Sequence, residues 1–184
     1  MLNAWWFWLT VAVGVFWALG AYNRLVRLQA QVHQAYTQLE QGLLQFSEMV
    51  QQLLTDIATS PAAWRSDLSP EQGASHWSRL QVGARELAMA LARMHEHPLD
   101  EQSVDQVRNT QLELQAAWEA LLHPLVYQLV VPEAMQQRWH AQVLLVQPDS
   151  ARFNQAVEQY NAAIDQFPAW LIARIFKFVP GYPL

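Results

Sequence analysis

Between Ala4 and Ala21 the chain runs eighteen residues without an ionisable side chain, and the first charged residue is Arg24. As an α-helix this stretch rises about 27 Å, close to the roughly 30 Å hydrocarbon thickness of a bilayer. A segment apolar on every face needs an apolar environment on every face. Trp5, Trp6 and Trp8 crowd one end, while Trp17 and Tyr22 stand near the other. Amphipathic rings at two membrane–water interfaces are placed this way, so the stretch reads as a membrane anchor over residues 1–22. The competing readings are weaker. A cleaved secretory signal would find small residues at Ala18 and Gly20, but the segment has no basic leader and is rich in tryptophan. A buried core helix would need more surrounding chain than the rest supplies as one domain. Arg24 and Arg27 directly after the span favour an external amino terminus and a cytoplasmic body, with an envelope-side body as the alternative.

The apolar stretch continues into a patterned one without a helix breaker. Leu25, Leu28, Val32, Ala35, Leu39, Leu43, Phe46, Val50, Leu53 and Ile57 recur three or four apart, which predicts one amphipathic helix continuous with the anchor. Residues 58–69, with Pro61 and several Ser and Ala, read as a loop. Ser69-Pro70 with Gln72 is a helix start, and the stripe Trp77, Leu80, Ala84, Leu87, Leu91, Met94 follows it to Pro98. Asp100 caps a third helix with the stripe Val104, Val107, Gln111, Leu114, Trp118, Leu121, Leu125. Pro124 predicts a kink or an early end there, and Gln111 reads as a residue of the bundle margin. Pro132 opens a fourth, with Met135, Trp139, Val143, Val146, Ser150, Phe153, Val157, Tyr160, Ile164 and Phe167. Because the phase holds across Pro148, it predicts one kinked helix rather than two.

The expected fold is therefore all-α: an N-terminal transmembrane helix continuous with an antiparallel four-helix up-and-down bundle over residues 23–168. Such a topology returns the fourth helix to the membrane end of the first. Residues 169–184 form an apolar tail whose Trp170, Arg174 and Lys177 suit the membrane interface, with packing on the bundle end as the alternative.

Composition narrows the function classes. A net charge of −5 with no basic patch disfavours nucleic acid, and the lack of cysteine removes disulfides, thiolate catalysis and cysteine-ligated zinc. His95-Glu96-His97 is the one local cluster of metal-ligand types, but it lacks the His-Glu-x-x-His spacing and reads as a solvated helix end. His33, His76, His123 and His140 are isolated, and Glu86, Glu113, Glu119 and Asp165 fall between stripe positions as solvated faces. Gly42 and Gly83 suit close helix approach. No cofactor is implied. Asn154 and Asn161, seven apart and one step off the stripe, share a helix face beside the core. Together with Asn23 they read as amides that satisfy one another or nearby backbone and fix helix register, with partner binding as the sharper alternative.

Tyr22-Asn23-Arg24-Leu25-Val26 after an N-terminal span, followed by Ala35, Gln38 and Leu39, resembles the opening signature of LemA proteins. Arg152-Phe153-Asn154-Gln155-Ala156-Val157, then Tyr160-Asn161 and Phe167-Pro168, resembles that family's second signature. Weaker similarity at Val82, Ala84 and Arg85 links the two. The chain departs from the family at Leu44–Val50, where relatives carry an Ile-Pro-Asn-Leu-Val-like run, and at Pro148. The resemblance implies a bacterial single-pass membrane protein with a helical-bundle domain, tied to membrane organisation and without established catalysis. It points to membrane proteases and other envelope proteins as partners, beside the lipid bilayer and a second copy of the chain. The leading expectation is a non-catalytic membrane-anchored scaffold. The alternative is a membrane-associated enzyme or metal-binding protein whose histidines the fold brings together.

Overall fold

The computed structural model describes residues 2–59, 70–122, 131, 133–167 and 169–184. The described residues are helical throughout their regular structure: α1 (Leu2–Thr59), α2 (Pro70–Glu96), α3 (Glu101–Leu122), α4 (Glu133–Asp165) and α5 (Ala169–Ile175). The apolar N-terminal stretch and the first amphipathic stripe are one helix of 58 residues, about 87 Å long. The Ser69 cap, Pro124, Pro132 and Pro168 lie outside the described residues.

α1 is the axis of the molecule, with α2, α4 and α5 packed against it, and α3 packed on α2. Along α1 and α4, Phe46 meets Trp139, Tyr36 meets Phe153 and Trp17 meets Phe167, so the two run in opposite directions. The stripes explain the packing. Leu25, Val32, Leu39, Leu43, Val50 and Leu53 of α1, Leu80, Ala84, Leu87, Leu91 and Met94 of α2, and Phe153, Val157 and Tyr160 of α4 are buried as expected. Gly42 and Gly83 do stand at close approaches: a Cβ on Gly83 would lie 3.2 Å from Leu114 Cδ1, and one on Gly42 3.4 Å from Val146 Cγ2.

Helix ends follow local chemistry. Asp100 accepts from the backbone N–H and the hydroxyl of Ser103, both at 3.0 Å, and starts α3. The described part of α3 runs to Leu122, and the kink or early end expected at Pro124 lies outside the described residues. α4 is continuous through Pro148. The carbonyl that loses its helical donor there belongs to Leu144, on the exposed side of the helix. α5 ends with Lys177 at φ 55°, and the Phe178 N–H reaches back to Ala173 O at 2.9 Å. This is the left-handed C-terminal cap usually taken by glycine.

Several positions depart from the stripes. Thr110, not Gln111, is the buried polar residue of α3, and its hydroxyl is satisfied by Gln106 O and Val107 O within its own helix. Tyr36 and Ser47 join the core of α1. Val143 is 38% exposed and Phe167 76% exposed, although both lie on the α4 stripe. Phe167 falls beyond the helix end at Asp165 and leans on Trp17, ring centroids 6.0 Å apart. Val143 is exposed because, among the described residues, no Cα of α3 lies within 8 Å of one in α4. The two helices meet only through side chains, and a cleft opens between them.

Candidate functional site

Residues 178–184 leave α5 as an irregular strand of chain and lie along α4, where the side chains singled out from the sequence hold them. The Asn161 Nδ2 donates to Gly181 O at 2.7 Å while its Oδ1 accepts from Gly181 N–H at 2.8 Å. Asn154 does the same to Leu184, donating at 2.8 Å and accepting at 2.7 Å. Each amide thus reads both the N–H and the C=O of one residue. Neither could be turned over without setting donor against donor, so the orientation of both is fixed by the network. The Tyr160 hydroxyl donates to Val179 O at 3.0 Å, and burial raises its pKa, keeping it a neutral donor. Arg108 of α3, paired with Asp105, donates to Pro183 O. The charge of the neighbouring Glu101 carboxylate pushes the Tyr182 pKa up. Gly181 is buried. A Cβ there would lie 2.5 Å from Leu99 Cδ2 and 3.3 Å from Val157 Cγ1, so the absence of a side chain lets the backbone reach Asn161.

Of the two options the sequence left open for Asn154 and Asn161, bonding each other or bonding nearby backbone, the geometry shows the second. Both bond backbone, but the backbone is that of the tail, and Asn23 is exposed and does not join them. Arg152 pairs with Asp149 on the surface of α4 at 2.9 Å. Tyr22 sits against Phe176 and Phe178, centroids 4.9 and 6.0 Å away, where the start of the tail crosses α1. Around it, Leu25, Ala163, Ala169, Ile172 and Ala173 form a second small core. The other face of the same segment bares Trp170, Leu171, Ile175 and Phe176, with Arg174 and Lys177 exposed.

From Trp5 to Leu19 the large side chains of α1 are exposed, Phe16 at 82% and Trp5 at 75%. Among the described residues this is the one helix long and apolar enough to cross a membrane, and none of its apolar window is buried. Arg24 and Arg27 are exposed at its end.

His95 is held across the helices, its Nδ1 2.8 Å from Glu40 Oε2 beside the Tyr36 ring. The Tyr36 hydroxyl, buried and donating to Leu91 O at 2.7 Å, has its pKa pushed far up by desolvation and the Glu40 charge. The contact lies fifty-five positions apart in sequence, which is why local spacing could not show it. Among the described residues no three His, Asp or Glu side chains are grouped to hold a metal ion.

The cleft between α3 and α4 has a volume of about 460 Å³. Leu112, Leu114 and Trp118 of α3 and Trp139, Val143 and Val146 of α4 line it, with Gln111, Gln115 and Gln147 among them. Trp118 and Trp139 stack at 4.3 Å with ring planes 6° apart. The Trp118 indole N–H is buried and has no acceptor among the described residues. Arg108 and Ser150 line the end of the cleft next to the tail. No family model, curated protein or solved structure matches the chain.

Proposed function

We propose that this chain is a non-catalytic, membrane-anchored helical scaffold of the bacterial inner membrane, spanning once with the amino terminus outside and the helical body in the cytoplasm. The observation that carries the reading is α1 itself, whose bare apolar first third continues without a break into a packed remainder. An exposed apolar surface of that extent calls for lipid or a partner. Its length suits a bilayer, its tryptophans suit the two interfaces, and Arg24 and Arg27 suit a cytoplasmic end. In this reading α1 to α4 are an antiparallel up-and-down bundle, and the exposed face of α5 with Trp170, Arg174 and Lys177 touches the headgroups. The LemA-like signatures support the same assignment. Partners are then other membrane proteins, membrane proteases among them, and further copies of the chain.

The absence of cysteine supplies the test. Ala141 is exposed on α4, on the part of the body remote from Trp17. A single Ala141→Cys variant should resist a membrane-impermeant maleimide in intact cells and react after lysis. Reaction in intact cells would place the body on the envelope side and overturn the assigned orientation.

A further inference from the structure

The amide residues of α4 continue past the tail they hold. Asn161 and Asn154 are seven apart, and the next two steps of seven reach Gln147 and His140, both lining the open cleft. The buried set Tyr160, Phe153, Val146 and Trp139 keeps the same interval one residue away, so Pro148 does not break the row. Seven helical residues rise about 10.5 Å. Between the same two rungs the tail advances from Gly181 to Leu184, three residues. Three residues of polyproline II rise about 9.3 Å in one full turn and present the same side at each step. An extended chain laid antiparallel to α4 is therefore commensurate with it, one backbone N–H and C=O pair per amide rung. The tail, with Pro180 and Pro183 each immediately before a held residue, is built for that conformation.

The cleft lies beside residues 183–184, sharing Arg108 with them, and carries what a second stretch of such chain would need. Gln147 offers the same donor and acceptor pair as the asparagines. His140 donates through Nδ1 to Gln136 O at 2.9 Å, leaving Nε2 as an acceptor in the neutral ring. Among the described residues the Trp118 N–H lacks an acceptor, which a peptide carbonyl would supply. Val143 and Leu112 bare apolar surface at the lining. We propose that the α3–α4 cleft binds an extended, proline-containing apolar peptide segment of a partner protein, aligned with residues 178–184 and held by Gln147 as the third rung. This deepens the scaffold reading by naming the surface and the chemistry of the partner, and it is independent of membrane orientation.

The test uses the full-length chain in lipid nanodiscs and a fluorescein-labelled peptide of the 178–184 sequence, followed by anisotropy. Binding is expected, weakened about thirtyfold by Gln147→Ala, the size of two hydrogen bonds, and abolished by Val143→Arg at the partly exposed lining. The Gly181 and Leu184 amides should keep their hydrogen-exchange protection throughout, showing that the tail stays in place. Absence of binding up to about 1 mM, binding indifferent to Val143→Arg, or binding that strips the tail's amide protection would each overturn the proposal. So would a lauroyl chain that competes with the peptide and binds more tightly, since the cleft would then be an acyl site. A failed result here leaves the maleimide result standing, and the reverse also holds.

Discussion

Replacing Asn154 and Asn161 together with alanine should release residues 178–184 from α4 while leaving the helices folded. Four hydrogen bonds to two backbone residues disappear, each worth about 1 kcal/mol net. Docking of the tail should therefore weaken by about 4 kcal/mol, more than a seven-residue segment can lose and stay seated. The readout is local: exchange protection at the Gly181 and Leu184 amides should be lost, because both N–H groups now donate to asparagine oxygens. Helix content should be unchanged, since the asparagines bond nothing on another helix. Retained protection at both amides would show that Arg108 and Tyr160 hold the tail without them.

Phe153→Ala should destabilise the body itself by about 3–5 kcal/mol, the usual cost of truncating a fully buried phenylalanine. Phe153 is wholly buried at the middle of α4, its ring 6.1 Å from that of Tyr36 at 64°. The loss would open a cavity where α1 and α4 cross and loosen Tyr36, whose hydroxyl ties α1 to α2 through Leu91. Phe153→Leu, which keeps most of the volume, should cost less than about 1.5 kcal/mol. Chemical unfolding in mild detergent followed by circular dichroism measures both. Equal midpoints for the two variants would mean that Phe153 does not order the core.

The helices were legible because the apolar residues of this chain recur with helical spacing, a phase that holds even across Pro148 inside α4. Periodicity reports a helix's wet and dry faces, but not how closely a neighbour approaches. Val143 carries the phase of the α4 stripe and is exposed, since α3 follows α2 and stands off α4. Gln111 and Thr110 are adjacent on α3, and a small rotation of the helix decides which of them is buried. Asn154 and Asn161 could be read as a pair on one face. Their partner could not, because residues 178–184 have two prolines and a glycine and no period to follow. Tyr36, one position from the stripe residue Ala35, reveals its role only through Leu91 and Phe153, which lie far along the chain. The α3–α4 cleft has no sequence signal of its own. Its row of amides at intervals of seven becomes visible only once two of them are seen holding backbone.

The most direct measurement on the anchor is alkaline carbonate extraction of membranes carrying the full chain, beside a variant lacking residues 2–21. The full chain should stay in the pellet and the shortened one pass to the supernatant, because the uncovered apolar helix from Trp5 to Leu19 is what lipid would cover. A full chain that extracts into the supernatant, or that is recovered with its amino terminus cut at Ala18 or Gly20, would contradict the account.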